Sequence, residues 1–123
     1  MKKLFIVFVM LLAGSAWAEW VMVGESEEAH SFYYPTTIRK EGNMRRVWQL
    51  SNLKRRGVDG EMSRRLRVEY DCKQERYQLL DVSEHSEPMA SGKLLSAEIG
   101  SGRWTGAAPG TSSMSILEIV CAK

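Results

Sequence analysis

Two histidines, two cysteines and a concentration of arginines are the side chains in this sequence that could do chemistry. His30 and His85 lie far apart, flanked by Ala29 and Ser31 and by Glu84 and Ser86. An imidazole works as a general base only with a partner and a pocket at hydrogen-bond range, and the sequence supplies neither. Both histidines therefore read as polar residues of loops or turns. Ser112 and Ser113 lack the context of a nucleophile elbow. Glu84 and Glu87 could supply half of a carboxylate pair, but a polar loop accounts for them equally well. Gly100-Ser101-Gly102 is too short to cradle a phosphate. Cys72 and Cys121 have no histidine near them in sequence, which makes a poor zinc site. The chain reads as noncatalytic, with no cofactor and no metal.

The bases carry more weight. Residues 39–76 hold twelve bases against six acids. Arg45, Arg46, Lys54, Arg55, Arg56, Arg64, Arg65 and Arg67 could gather along adjacent strands and a connecting turn. Arginine is a suitable fork for phosphate or carboxylate oxygens. Such a region could face lipopolysaccharide, an acidic polysaccharide, a lipid headgroup surface or an acidic protein. Alternation and the nearby acids Glu61, Glu69 and Asp71 favour an ordinary solvated face instead. Arg39 and Lys40 in one polar segment, and Lys54, Arg55 and Arg56 in the basic turn, are the candidate contacts by charge. Trp20, Trp48 and Trp104 read as packing residues; Trp48 or Trp104, if exposed beside an unpaired strand edge, would anchor a partner.

These residues need elements to hold them, and the first eighteen are not among those elements. Lys2 and Lys3, the apolar run Leu4–Leu12 and the small residues of Ala16-Trp17-Ala18 form a secretory leader, with a cut expected between Ala18 and Glu19. The run is too short to span a bilayer, and no second long apolar stretch follows. Lys2 and Lys3 account for the formal charge of +2, so residues 19–123 balance 15 bases with 15 acids. Glu19 stands where a bacterial lipoprotein carries cysteine, so no lipid anchor is expected and the periplasm is the favoured compartment. Nucleic acid is not an expected partner there, and no nucleic-acid motif occurs. Residues 19–123 suffice for one domain burying roughly 60–70% of its unfolded surface. In an oxidising compartment two cysteines favour a disulfide over free thiols.

Glu19–Val23 reads as a short strand ending at Gly24, and Ser31–Tyr34 as an extended segment ending at Pro35. Glu41-Gly42-Asn43 predicts a hairpin connection, followed by a strand over Met44–Leu53 of mixed phase. Arg64–Cys72 gives the clearest period-2 pattern, with Leu66, Val68, Tyr70 and Cys72 on one face and Arg65, Arg67, Glu69 and Asp71 on the other. Arg76–Val82 and Lys93–Ile99 follow as strands, with Ser83–Gly92 between them as a loop. Thr111, Ser112 or Ser113 caps a short helix running to Ala122, with Ile116, Leu117, Val120 and Cys121 on its apolar side. The fold class is α+β: one antiparallel sheet of about six strands with a C-terminal helix packed on it. If Cys72 faces inward from its strand and Cys121 from the helix, a disulfide joins sheet to helix.

The chain resembles the bacterial surface-adhesin protein E family. The resemblance runs from Glu19-Trp20-Val21 and Val23-Gly24-Glu25 through Tyr33-Tyr34, Thr37-Ile38-Arg39-Lys40, Gly42-Asn43 and Val47-Trp48. Its strongest signature is Glu69-Tyr70-Asp71-Cys72, followed by Arg76-Tyr77-Gln78-Leu79-Leu80 and Val120-Cys121. It implies a six-stranded antiparallel sheet backed by a C-terminal helix, with Cys72 bridged to Cys121. The family's characterised namesake is a dimeric outer-membrane lipoprotein that binds host extracellular-matrix and serum proteins. The missing lipidation cysteine departs from it, so the leading expectation is a periplasmic protein-binding or assembly module. The alternatives are a surface or secreted adhesin for host proteins, an anion-binding envelope module, and a structural envelope protein without a small ligand. The expected partners are an envelope or host protein, a second copy of the chain, or an acidic glycan or lipid headgroup.

Overall fold

The computed structural model describes residues 19–122, so the expected leader lies outside the described residues. Eight strands, a 3-10 turn at Pro35–Thr37 and one α-helix are the elements of the described residues. The strands are β1 (Val21–Glu25), β2 (Ala29–Tyr33), β3 (Arg39–Glu41), β4 (Met44–Leu53), β5 (Ser63–Asp71), β6 (Arg76–Glu87), β7 (Ser91–Ile99) and β8 (Thr105–Gly106). The helix is α1 (Ser112–Cys121). All pairings are antiparallel. The main path runs β1-β2-β4-β5-β6-β7, while β3 joins β4 and β8 joins β6. The expected six strands are therefore corrected to eight. The two additions are only three and two residues long, too short to carry an alternation that a sequence could display.

A second correction concerns Ser83–Gly92. Most of this segment is the end of β6 and the start of β7, and only a tight turn separates them. Its polar residues are paired rather than looped out: Arg64 Nε donates to Glu84 at 2.8 Å, and Ser83 shares a 2.8 Å hydrogen bond with His85. Polarity there marks strands whose side chains bond one another. The turn places Met89 and Ala90 at φ of 59° and 57°, a conformation that L residues with a Cβ adopt at a cost. Asn52 and Ser63 hold it down, accepting the N–H groups of Met89 at 2.8 Å and Ala90 at 3.0 Å.

Alternation in β5 is as expected. Val68 and Tyr70 join Val47 of β4 and Ile116, Leu117 and Val120 of α1 in one buried cluster, with Leu66, Tyr77 and Leu79 packed against it. Tyr70 is fully buried, and its hydroxyl donates to the Gln49 side chain. The mixed phase of β4 also resolves. Val47 faces the helix, whereas Leu50, only 1% exposed and outside that cluster, belongs to the opposite face. Apolar residues therefore occur on both faces of β4, although Arg46 on the second face is exposed.

A bulge in β6 adjusts the faces further. Val68 pairs with Leu79 but Arg67 pairs with Asp81, leaving Leu80 as the extra residue. Leu79 thereby stays with the core while Asp81 turns to Arg67 on the other side. Gly100 closes against this bulge, its N–H donating to the Leu80 carbonyl at 2.8 Å. A Cβ at Gly100 would lie 1.7 Å from the Leu79 carbonyl oxygen, so no larger residue fits there without backbone movement.

The helix depends on contacts beyond itself, because its β-branched residues lower intrinsic helicity. Thr111 caps it by accepting from the Met114 N–H at 3.2 Å. No base lies in its last turn. Arg45, only 6% exposed, supplies one from β4, donating from Nε to the Val120 carbonyl at 3.1 Å. Cys72, one residue past β5, bonds Cys121 with a Cα separation of 5.6 Å. The disulfide closes 49 positions of chain, which contributes about 4 kcal/mol in the chain-entropy model. Among the described residues, no helix is long and apolar enough to cross a membrane.

Candidate functional site

Register assembles the sheet face opposite α1 in cross-strand rows. In the first row Arg39 of β3 lies beside Arg46 of β4, then Glu69 of β5 and Gln78 of β6. The second aligns Trp48, Arg67, Asp81 and Ile99. The third aligns Phe32, Leu50, Arg65, Ser83 and Ala97. The fourth aligns His30, Asn52, Ser63, His85 and Leu94. An aromatic ring thus sits among four arginines, a grouping that linear spacing conceals.

Trp48 organises its neighbours. The Arg65 guanidinium carbon lies 5.0 Å from the ring centroid and that of Arg67 lies 5.9 Å away, both within cation–π range. Arg67 also pairs with Asp81 at 2.8 Å, and Arg46 with Glu69 at 3.0 Å. Arg65 has no carboxylate partner among the described residues. Arg39 likewise donates only to main-chain carbonyls, those of Thr36 at 3.2 Å and Ile38 at 3.3 Å. Two arginines on this face therefore make no ion pair with a carboxylate among the described residues. Clefts flank the indole on both sides. One, of about 260 Å3, is lined by Arg65, Asp81, Val82, Glu98 and Ile99; the other, of about 210 Å3, by Thr37, Arg39, Arg46 and Arg67.

The other expected contacts are scattered. Lys40 is exposed on β3. Lys54 pairs with Glu25, which also lies 3.5 Å from His30. Lys54, with the neighbouring His30, holds the Glu25 carboxyl below its ordinary pKa. Arg56 donates to the carbonyls of Gly60 at 2.8 Å and Ser86 at 2.9 Å, bracing the turn. Arg55 extends beside Glu27 and Glu28 in a cleft that also includes Arg64. Trp104 lies under Arg76, whose guanidinium carbon is 4.5 Å from its ring centroid and whose Nε donates to Asp71 at 3.1 Å. Lys54, Arg55 and Arg56 thus point to three different local partners or settings rather than to one anion site.

Arg45 and Arg64 are both committed to acceptors within the fold. Arg45 is under the helix, and Arg64 bridges Glu61 at 2.9 Å and Glu84 at 2.8 Å. Ligand atoms of Asp59, Glu61 and Glu84 lie within 4.8 Å of one another, and Arg64 pairs with two of the three carboxylates, Glu61 and Glu84. A hydrogen bond from its own main chain, reinforced by Arg64 and the Asp59 N–H, keeps Glu61 ionised below the usual carboxylate range despite burial.

His30 and His85 share a row but not a site. They belong to β2 and β6, with β4 and β5 between them, about 14 Å at ordinary strand spacing. Burial, with the charge of nearby Arg65, pushes the His85 imidazole below its ordinary pKa, so it is neutral at neutral pH.

One antiparallel sheet, one helix clamped to it by a disulfide, and a broad face of arginines around a tryptophan define a disulfide-stapled α+β domain. The model of the surface-adhesin protein E family matches residues 20–122, and the chain belongs to that family. Solved structures agree on the fold. Crystal form II of Haemophilus influenzae protein E superposes with a TM-score of 0.70 at 11% identity, covering 85% of this chain and 88% of that one. The selenomethionine form of the same protein gives 0.70 at 12% identity, with 85% and 87% covered. A further structure of it gives 0.66 at 11% identity, covering 85% of each chain. No curated protein sequence matches the chain.

Proposed function

We propose that the protein is an exported, noncatalytic adhesin displayed at the cell surface, where it binds host proteins. The match of almost the whole described chain to the surface-adhesin protein E family carries this reading. The leader read in residues 1–18 supplies the export step. The periplasmic module is the weaker reading, because it rests on Glu19 standing where a lipidated chain has cysteine, and lipid is not the sole means of displaying an exported domain. The dispersed Lys54, Arg55 and Arg56 give little support to an anion-binding module built on that turn.

Protease accessibility on intact cells, joined to binding of purified protein to immobilised extracellular-matrix proteins, tests the proposal. Cleavage without permeabilising the outer membrane, with saturable retention on a matrix protein, is the expected result. Protection until permeabilisation, with crosslinking to an envelope protein, would restore the periplasmic module.

A further inference from the structure

We propose that the face around Trp48 binds a linear sulfated polysaccharide, of the kind that coats host cells, through Arg39 and Arg65. These two guanidinium groups are the arginines of this face without a carboxylate partner. Their backbone positions lie two strands and four residues' length apart, roughly 16 Å by ordinary sheet geometry. Arg65 is held at the Trp48 ring and Arg39 on main-chain carbonyls. A chain with anions repeated along its length can meet each arginine where it is held.

The clefts favour the same ligand. At about 260 and 210 Å3, each is smaller than the roughly 300–1,000 Å3 of an enclosed small-molecule site. Placed on either side of the indole, they suit successive units of a polymer. Trp48 holds Arg65 and Arg67 at its ring, which lowers the ordering cost of binding an anion. Ile99, 89% exposed, offers an apolar lip to the carbon-hydrogen face of a sugar ring.

An acidic peptide fits less well. β4 and β5, which carry Trp48, Arg65 and Arg67, are paired on both sides, whereas β3, which carries Arg39, pairs with β4 alone. A peptide lying across β4 and β5 would find no free strand edge there for its own N–H and C=O groups, and the β3 edge is only three residues long. A glycan has no such main-chain requirement.

The test is calorimetric titration of disulfide-intact protein, residues 19–123, with a heparin octasaccharide at about 0.15 M salt. Arg39→Ala and Arg65→Ala should each weaken binding about tenfold, the loss of one charge-assisted contact. Arg55→Ala, removing an exposed base elsewhere, should leave it unchanged. Both site residues are exposed, and an unaltered melting temperature would confirm that each variant is folded. No binding, equal loss in Arg55→Ala, or equal competition by a sulfated monosaccharide, lipopolysaccharide or an acidic peptide would overturn the proposal. Only the host source of the glycan rests on surface display. Binding by purified protein that is shielded in intact cells would remove the display reading and leave the site standing.

Discussion

Arg45 and Val120 are joined across the fold, the Nε of the first donating to the carbonyl oxygen of the second at 3.1 Å. The same guanidinium donates to the carbonyls of Gly42 at 2.8 Å and Met44 at 2.9 Å. A nearly buried cation therefore ties the hairpin before β4 to the carbonyl end of α1, where a helix dipole favours positive charge. Arg45→Met should lower stability by about 2 kcal/mol, read as a shifted urea midpoint, because three acceptors lose their donor. Arg45→Lys keeps the charge without the fork and should recover part of that loss. Equal stability of Arg45→Met and wild type would refute the tie.

Removing the bridge between Cys72 and Cys121 should cost more. The paired change Cys72→Ala and Cys121→Ala is expected to lower unfolding free energy by about 4 kcal/mol, with a steeper denaturant dependence as the unfolded chain expands. Equilibrium urea unfolding followed by circular dichroism measures both quantities.

The turn between β6 and β7 should improve when relieved of its Cβ. Ala90 has φ of 57°, so Ala90→Gly is expected to stabilise by about 0.5–1 kcal/mol. Gly100→Ala should do the reverse, losing about 1–3 kcal/mol through its clash with the Leu79 carbonyl. Thermal melts of the two variants, moving in opposite directions, provide the check.

His85 gives the fold a pH dependence of known sign. Its folded pKa is below the unfolded value near 6.5, so the unfolded chain takes up protons first as pH falls. The associated stability is complete above that value and is lost as pH drops from it toward the folded pKa. His85→Gln should therefore flatten the dependence of melting temperature on pH between about 7 and 5. Unchanged slopes in the two proteins would show that another group governs this range.

The central strand was legible because one of its faces is apolar beyond Arg64: Leu66, Val68 and Tyr70 announce the core by period alone. The helix was legible from Thr111 and the apolar Ile116, Leu117 and Val120, and both cysteines fall where an inward-facing pair was expected. The candidate site was less visible. Arg39, Arg65 and Trp48 come from three strands, so only the register brings them into adjacent rows. Charge alone gave Arg45 the same character as Arg46, although the alternation of β4 sends one under the helix and the other to Glu69. Greater attention to Arg46, Trp48 and Leu50 as one face would have found part of the site. Ser83–His85 misled because a strand with polar partners has the composition of a loop.

The alternation of β5 separates two histories that a single strand could otherwise entangle. Even-numbered positions from Leu66 to Tyr70 answer to the helix, while Arg65 faces outward beside Trp48 and Arg67 and Glu69 answer to their ion-pair partners across the sheet. An outward letter such as Arg65 can be rewritten, changing what the molecule recognises, while the letters facing the helix stay untouched. Recognition can then drift quickly over a slowly changing frame, which is one way that proteins sharing 11% of their residues keep a common architecture.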